Sequence, residues 1–312
     1  MAKADVGFAL IVKDGEKTLE ACLKSIRPHV KQIVVGIDTL TKDKTERIAK
    51  RYADEVFPVK VSDWHECEQH GRVRAQDFAR ARNESFKHLD PDLGWWAWAD
   101  ADDVLEGAEL LPRILADVPP QVIGFWSRYL YAYVMGEDGR RVPNTVFDRE
   151  RILRTQYQGQ RVDWQWKHRV HEVVAPDNFP HPAWAQEHRI QWVHQHQAHK
   201  SESSAPRNLL LLEIELEEKP DDPRTVFYMG NQYFATGDWA LAAQWYENYA
   251  QLPEGVKNPY ELWQAYVYMS LAYERLGDLD ASLQAAFGAI DARPEHPEPY
   301  YRLAAIYSMT GQ

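Results

Sequence analysis

The sequence predicts an α/β domain, with a mixed sheet covered by helices on both faces, followed by an all-α domain of helical repeats. In the first 61 residues, short apolar runs alternate with segments of helical periodicity, which is typical of strands joined by helices. From about residue 208 onward, glycines, tyrosines and small residues recur at intervals of 34 to 40 positions, which is typical of helical repeats. Because the polar stretch 201–206 separates the two patterns, we place the domains at residues 1–200 and 201–312.

The first domain begins with three predicted strands and two helices. The apolar runs at 6–12, 32–37 and 55–61 are rich in β-branched residues, as expected for strands covered on both faces. Apolar residues spaced i, i+3, i+4 and i+7 predict a helix over 19–26, and a second helix is predicted over 45–52. This alternation predicts parallel strands with ligands at their carboxyl ends.

Three carboxylates follow the most aromatic strand of the domain. After a predicted helix at 77–88, residues 95–99 (WWAWA) are expected to form a buried strand, and Asp100, Asp102 and Asp103 follow directly. Carboxylates so close repel one another unless a cation lies between them, and Mg²⁺ and Mn²⁺ prefer oxygen ligands. The alternative is an Asp-rich turn that caps a following helix, starting near residue 106.

Two further strand patterns complete the first domain. Residues 121–133 and 142–147 are predicted to form a hairpin, after which residues 149–154 are expected to begin a separate part of the domain. Residues 190–199 alternate in polarity and place Trp192, His194 and His196 on one face of a strand.

The second domain is similar to a tetratricopeptide array of two and a half repeats. Gly237, Gly277 and Gly311 mark the same turn between helices, and the last two are 34 residues apart. The positions four and seven residues before each glycine are expected to pack closely: Tyr233, Tyr273 and Tyr307, and Gly230, Ser270 and Ala304. The sequence stops after the first helix of a third repeat, so we expect an apolar face there (Leu303, Ile306, Tyr307) to favour self-association.

Composition excludes several classes of protein. The net charge is −11, and residues 201–312 carry 17 acidic against 7 basic side chains, so nucleic acid is not expected as a partner. The two cysteines, Cys22 and Cys67, form no disulfide framework and no metal-ligand pattern. We expect a cytoplasmic protein, since no apolar run approaches 18 residues and no leader precedes the first strand.

The order of these motifs resembles that of family 2 glycosyltransferases with the GT-A fold, over about the first 200 residues. The motifs are residues 10–14 (LIVKD), Asp38 with Asp43 and Thr45, residues 81–83 (ARN), and residues 100–103 (DADD). The sequence departs from the commoner pattern at Asp103, where Glu is more usual, and at 40–42 (LTK), which replaces a loop of small residues. With its helical repeats the chain is similar to the sublancin S-glycosyltransferase type, which implies a peptide or protein acceptor.

The resemblance implies a set of residues that bind the nucleotide sugar: Val12, Asp14, Asp38, Arg82, Asp100, Ala101 and His171. A carboxylate at Asp38 suits the N3–H of uracil, with Asp14 near the ribose. Arg82 can pair with a diphosphate through two parallel hydrogen bonds. The alternatives are an N-cap role for Asp38 and a solvated helix face for Arg82.

The resemblance also implies metal ligands and a base. Asp102 is the expected metal ligand, with His194 favoured over His196 as a further one. Glu172, in the pair His171-Glu172, is the expected base, and Asp103 is the competing candidate. The alternatives are histidines that bind no metal and a His-Glu pair on a surface strand.

The predicted function is transfer of a sugar from a UDP-sugar, with inversion and with the help of Mn²⁺ or Mg²⁺. UDP-glucose and UDP-N-acetylglucosamine are the expected donors. The expected acceptor is a peptide or protein, followed by a saccharide, lipid-linked or small-molecule acceptor; modified DNA bases are a more distant option, supported only by arginines between residues 140 and 161. The alternative from another class is a non-catalytic tetratricopeptide scaffold that carries a degenerate transferase domain.

Overall fold

The computed structural model describes residues 3–137, 139–180, 182–195 and 204–311. Contacts between residues divide the chain into two units. The first comprises Met1–Asp63, Gln76–Lys167 and Glu172–Ser201, and the second comprises Trp64–Ala75, His168–His171 and Glu202–Gln312. The domain boundary predicted at residues 200 and 201 falls outside the described ranges. The second unit also takes in residues 64–75 and 168–171, which the sequence analysis placed in the first domain.

The elements are numbered in chain order. Those up to residue 116 are β1 (Ala4–Val12), α1 (Leu19–Ile26), β2 (Val30–Asp38), α2 (Thr45–Ala49), β3 (Glu55–Val59), β4 (Ser62–Cys67), β5 (Gly71–Gln76), α3 (Phe78–Phe86), β6 (Trp95–Asp100), β7 (Asp103–Glu106), a 3₁₀ turn (Ala108–Leu110) and α4 (Leu111–Ala116). Those up to residue 194 are β8 (Val122–Met135), β9 (Arg141–Arg154), β10 (Gln156–Tyr157), β11 (Gln160–Arg161), β12 (Trp164–Lys167), β13 (Val173–Pro176) and β14 (Ala183–His194). The helices that follow are α5 (Ala205–Glu218), α6 (Pro223–Thr236), α7 (Trp239–Gln251), α8 (Pro259–Leu276), α9 (Leu279–Ala292) and α10 (Glu298–Thr310).

The first unit is built on a mixed eight-stranded sheet, so the predicted fold class is confirmed. The strand order is β3-β2-β1-β6-β9-β8-β14-β7. Strands β3, β2, β1 and β6 are parallel to one another, and β9 then runs antiparallel between β6 and β8. Strand β14 is parallel to β8 and antiparallel to β7. The carboxyl ends of β1, β2 and β6 therefore meet at one edge, where ligands bind in sheets of this kind.

Helices cover both faces of this sheet. On one face, apolar residues of α1, α2 and α4 pack on side chains such as Phe8 and Trp192. On the other face, α3 and β12 pack on Trp96 and Trp98. Helix α3 begins where the sequence predicts, because the Asp77 carboxylate accepts the Arg80 N–H at 2.8 Å and so caps the first turn.

Asp103 lies in a strand and not in the helix-capping turn that was weighed as an alternative. Strand β7 starts at Asp103 and pairs with the end of β14, with Asp103 opposite His194. The helix expected from about residue 106 begins later, at Leu111, after the 3₁₀ turn. Gly107 separates β7 from the 3₁₀ turn, because its φ is 77° and a Cβ at this position would overlap the Arg189 carbonyl oxygen.

The hairpin after α4 is longer than predicted. Strand β9 continues from Arg141 to Arg154, so residues 149–154 extend the sheet and do not begin a separate part of the domain. Strand pairing beside β6 carries Arg151 into the sheet interior, where it has no solvent exposure. This placement becomes important for the acidic cluster described below.

The second unit contains the predicted helical repeats. Gly237, Gly277 and Gly311 end α6, α8 and α10 with φ values of 81°, 80° and 72°, the left-handed conformation that glycine adopts without strain. Gly230, seven residues before the first of these turns, must be small, because a Cβ at this position would lie 2.5 Å from the Tyr246 ring.

The small residue of the third repeat is not packed as expected. Ser270 is fully buried as predicted, whereas Ala304 is exposed. Ile306, which was expected on an apolar face without a partner, is buried, with only 1% of its surface exposed.

Within the described part of the chain, no helix is both long and apolar enough to span a membrane.

Glu215 on α5 makes the stability of the second unit depend on pH. Burial raises the pKa of this carboxyl from 4.5 to about 7, although the Arg169 N–H hydrogen bond opposes the shift. Because the folded state holds the proton more tightly, the free energy of unfolding falls as the pH rises from about 4.5 through 7, by up to about 3 kcal/mol. We expect Glu215→Gln to remove this loss: the variant gains stability over the parent at pH 8 but not near pH 4.5.

Chemical denaturation at a series of pH values measures this difference. Glu254→Gln, at an exposed position of the same unit, is the matched control and should leave the pH dependence unchanged. Parallel curves for the parent and Glu215→Gln would contradict the prediction.

Candidate functional site

An acidic cluster lies at the carboxyl end of β6. Asp100 ends that strand, Asp102 is in the turn after it, and Asp103 begins β7 opposite His194 at the end of β14. One ligand atom each from Asp102, Asp103 and His194 lie within 4.8 Å of one another. Two carboxylates and an imidazole form a donor set that suits a divalent cation. The structure thus brings together the two residues predicted as metal ligands.

Asp103 lies beneath this group and holds its neighbours. Its side chain has no exposure; Oδ1 accepts a hydrogen bond from the Tyr129 hydroxyl at 2.9 Å, and Oδ2 accepts one from Arg151 Nη2 at 2.8 Å. His194 Nδ1 lies 3.3 Å from Asp103 Oδ1. A histidine that is held through Nδ1 by a carboxylate keeps Nε2 for a metal, which is a common arrangement around metal ligands.

The cluster favours positive charge at His194. Burial alone would lower the pKa of this imidazole, but the hydrogen bond to Asp103 and the charges of Asp102 and Asp100 raise it above its usual value. The ring also stacks on Tyr131, with centroids 5.2 Å apart. His196, the competing candidate, lies outside the described residues.

Two buried arginines balance part of the negative charge. Arg82 Nη2 donates to Asp100 Oδ1 at 2.6 Å, and Arg151 Nη2 lies 3.5 Å from Asp100 Oδ2. Although burial opposes ionisation, these two cations keep the pKa of Asp100 well below its usual value. Four carboxylates (Asp100, Asp102, Asp103 and Glu172) therefore face two guanidinium groups. This leaves two negative charges when His194 is neutral, as it is when it binds a metal, and one when His194 is protonated. A divalent cation bound to the neutral imidazole would neutralise both charges.

Arg82 is a buried bridge, so the alternative of a solvated helix face is wrong. Its Nε donates to Glu172 Oε1 at 2.8 Å, and its guanidinium lies 4.6 and 4.9 Å from the ring centres of Trp98 and Trp166. Burial would lower the pKa of Arg82, but Asp100 and Glu172 raise it above the usual value. The side chain that was predicted to meet a diphosphate thus links the acidic cluster to Glu172.

Glu172 and His171 are neighbours in sequence with different surroundings. Glu172 is 14% exposed at its side chain and belongs to the first unit, just before β13. His171 belongs to the second unit, where its ring stacks on Tyr228. The structure therefore brings Glu172 to the acidic cluster through Arg82, whereas the ring of His171 contacts Tyr228 and Gln232 of the second unit.

Asp38 lines a cavity at the end of β2. The cavity measures about 350 Å³, and Phe57 and Pro58 are among its other lining residues. Asp38 is buried, and its Oδ1 accepts the Leu40 N–H at 3.1 Å. The N-cap alternative is wrong, since α2 begins at Thr45, after Lys44 in the N-cap position. A buried carboxylate in a concave site of this size can accept a hydrogen bond from a base.

The loops after β1 and β2 are tied together beside this cavity. Asp14 is exposed, has a φ of 48°, and accepts the Lys42 N–H at 2.8 Å through Oδ1. The Thr45 hydroxyl accepts the Gly15 N–H at 2.7 Å. Val12 ends β1, and a Cβ on Gly15 would approach both Val12 and Ala101, so these predicted residues also meet at this edge.

Sequence reasoning missed Arg151 and Tyr129. Arg151 was weighed only among the arginines that would support a nucleic-acid acceptor, yet its guanidinium lies 3.7 Å from the centre of the Trp98 ring and 4.9 Å from that of Trp192. Its Nε and Nη1 form no hydrogen bond with the described residues. The available signal was the run Ile152-Leu153 beside it, which is typical of a strand that continues inward.

Comparisons with known proteins agree with this architecture. The family model "Glycosyl transferase family 2" matches residues 9–171, and the chain belongs to this family. A TPR repeat-containing protein of Synechococcus elongatus is 24% identical over 294 residues, which is 90% of this chain and 65% of that protein. The chain thus spans about two thirds of the length of this relative.

Solved structures are similar only over part of the chain. A structure of MamA is 20% identical, covers 35% of this chain and 59% of its own, and has a TM-score of 0.31. The first TPR of Spaghetti is 16% identical, covers 35% of this chain and 82% of its own, and has a TM-score of 0.32.

Proposed function

We propose that the protein is a metal-dependent, inverting glycosyltransferase that uses a UDP-sugar. The observation that carries this proposal is the Asp102–Asp103–His194 group at the carboxyl end of β6, whose ligand atoms lie within 4.8 Å of one another. It lies at the same edge of the parallel strands as Asp38 and Asp14. Membership of glycosyl transferase family 2 supports the reaction class.

Each residue has a role in this proposal. Asp102 and His194 hold a divalent cation, Mn²⁺ or Mg²⁺, and Asp103 orients His194. The cation supplies positive charge that stabilises the departing diphosphate. Asp38 accepts the N3–H of uracil, with Asp14 at the ribose and Val12 and Ala101 against the nucleoside. Arg82 and Asp100 position the diphosphate side.

Glu172 is the proposed base. The acceptor atom attacks the anomeric carbon, the bond from that carbon to the diphosphate oxygen breaks, and the bonding electrons leave with UDP. The proton of the acceptor passes to Glu172, on the face opposite the diphosphate. Asp103 is less suited because it has no exposure and both its oxygens accept hydrogen bonds, whereas Glu172 is partly exposed.

Glucose and N-acetylglucosamine are the proposed sugars, and a peptide or protein side chain is the proposed acceptor, in the cytoplasm. Tetratricopeptide-like helices can present an extended surface to a polypeptide. Because residues 201–312 carry most of the net negative charge, a basic or neutral acceptor is favoured. A saccharide acceptor is the next choice, and self-association through the repeats stays a prediction.

Nucleotide binding tests the proposal directly. We expect UDP to bind more tightly with Mn²⁺ than without it, and Asp102→Ala to lower this metal-dependent affinity at least about 100-fold, because it removes a ligand. Isothermal titration calorimetry measures both quantities. Asp117→Asn, which changes a carboxylate with 68% side-chain exposure, is the matched control.

Two outcomes would reject the transferase. If no nucleotide gives heat with either metal, the non-catalytic tetratricopeptide scaffold becomes the better interpretation. If UDP binds equally well in the parent and in Asp102→Ala, the metal role of the acidic cluster is wrong.

A further inference from the structure

The four residues before Glu172 pack within the helical unit in an uncommon backbone conformation. Residues His168–His171 belong to that unit by their contacts, and the φ values of His168 and His171 are 73° and 53°. Left-handed backbone is uncommon for residues other than glycine, and it persists only where surrounding contacts impose it. The helical repeats supply such contacts at both ends of the segment.

One face of α6 holds His171. Arg224 donates to the His171 carbonyl oxygen from both Nε and Nη2, each at 3.0 Å. The imidazole stacks on the Tyr228 ring with centroids 4.1 Å apart and planes 12° apart, and Gln232 Nε2 lies 3.3 Å from His171 Nε2. Since positions 224, 228 and 232 are each one helical turn apart, their side chains form a single stripe.

Arg224 is itself fixed by the repeats. Its Nη1 donates to Glu261 Oε1 at 2.9 Å, and its guanidinium lies 4.8 Å from the centre of the Tyr228 ring. Glu261 on α8 also accepts a hydrogen bond from the Tyr249 hydroxyl on α7 at 3.2 Å. Helices α6, α7 and α8 thus orient the guanidinium, whose planar fork loses little freedom when it binds the carbonyl.

Helix α5 holds the other end of the segment. The Arg169 N–H donates to Glu215, and the Arg169 guanidinium pairs with Glu218. His168 Nδ1 lies 3.7 Å from an oxygen of Asp222, the residue that caps α6. Charged side chains therefore hold the segment that directly precedes Glu172.

We propose that Arg224 and Tyr228 on α6 are positioning residues for Glu172, acting through the peptide bond that joins His171 to Glu172. The carbonyl oxygen that accepts both hydrogen bonds from Arg224 belongs to the peptide unit that joins His171 to Glu172. Because a peptide unit is planar, fixing its oxygen also fixes the direction of its N–H and the place of the Glu172 Cα. This inference rests on the proposed function, in which Glu172 is the base.

Arg224→Ala should separate catalysis from binding. We expect kcat for hydrolysis of UDP-glucose or UDP-N-acetylglucosamine to fall by up to about 100-fold, since a misplacement of 1 Å can cost that much. KM for the UDP-sugar and the affinity for UDP with Mn²⁺ should stay at parent values, because the proposal gives Arg224 no part in binding the donor. Arg224→Lys, which keeps the charge but loses the fork, should be intermediate, and added guanidinium ion should restore part of kcat in Arg224→Ala.

Amide hydrogen exchange gives a readout that does not depend on activity. In Arg224→Ala, exchange over residues 168–176 should become faster while exchange over β6 stays unchanged, and Tyr228→Ala should act in the same direction. Arg275→Ala, which changes an exposed arginine of α8, is the matched control for both measurements. Thermal unfolding of each variant verifies that the repeats remain folded.

The results distinguish this inference from the proposed function. If Glu172→Gln is inactive while Arg224→Ala keeps both the kcat and the exchange rates of the parent, the positioning role is wrong and the transferase stands. If Glu172→Gln turns over normally, the base assignment fails and the inference fails with it. If Arg224→Ala changes the rate of amide hydrogen exchange but not kcat, the hydrogen bonds from Arg224 to His171 have only a structural role and the proposal is rejected.

Discussion

Replacing Glu172 with glutamine should lower the rate of sugar transfer by about 10²- to 10⁴-fold, the usual contribution of a general base. Glutamine has nearly the same shape, and its carbonyl oxygen can still accept the Arg82 Nε hydrogen bond that is 2.8 Å long in the parent. It cannot accept the proton of the attacking acceptor. The arrangement of Arg82 and Asp100 should therefore survive while the chemical step is lost.

Two measurements on the same variant verify this. The rate of UDP release from UDP-glucose and UDP-N-acetylglucosamine reports the chemical step, and calorimetry with UDP and Mn²⁺ reports binding, which should match the parent. Glu109→Gln, at an exposed position after β7, is the matched control and should leave both unchanged. Normal turnover in Glu172→Gln would transfer the base role to Asp103.

Replacing Arg151 with methionine should lower the free energy of unfolding by about 3–5 kcal/mol, the usual loss when one partner of a buried ion pair is removed. Arg151 has no exposure, donates to Asp103 at 2.8 Å, and lies on the Trp98 ring. Methionine fills most of the same volume, so the loss reports the charge and not a cavity. The buried Asp103 and the partly exposed Asp100 would then have one cation fewer beside them.

Chemical denaturation without added metal measures the change. Arg113→Met, at a side chain with 82% exposure, is the matched control and should change stability by less than about 0.5 kcal/mol. The double variant Arg151→Met with Asp103→Asn should recover part of the loss, because it removes the carboxylate that Arg151 neutralises. A loss below about 1 kcal/mol for Arg151→Met would mean that the acidic cluster does not need this cation.

The parts of the site that follow local rules could be predicted from the sequence. Asp100, Asp102 and Asp103 end a buried aromatic strand, and alternation places His194 near the end of another. Such patterns depend on the backbone period of a strand, which the side chains of a short segment reveal by themselves. The predicted fold class followed from the same periodicities.

Other parts of the site depend on which strands pair. Arg151 and Tyr129 reach Asp103 because β9 lies beside β6 and β8 lies beside β9, although these residues are 48 and 26 positions from Asp103. The run Ile152-Leu153 beside Arg151 indicates a strand that continues inward, but nothing in the sequence shows which carboxylate the buried arginine meets. The interpretation of residues 149–154 as a separate segment was wrong for this reason.

The sequence by itself determined the alternation of strands and helices, the repeat glycines and the carboxylates after β6, since each is a property of a short stretch of chain. Only the tertiary structure decided that Arg82 bridges Asp100 and Glu172, that Arg151 neutralises Asp103, and that His171 is held by α6 while its neighbour Glu172 belongs to the sheet domain. The physical reason is that a buried charge is stable only beside its partner. Which partner it finds depends on sheet order and helix packing, and not on distance along the chain.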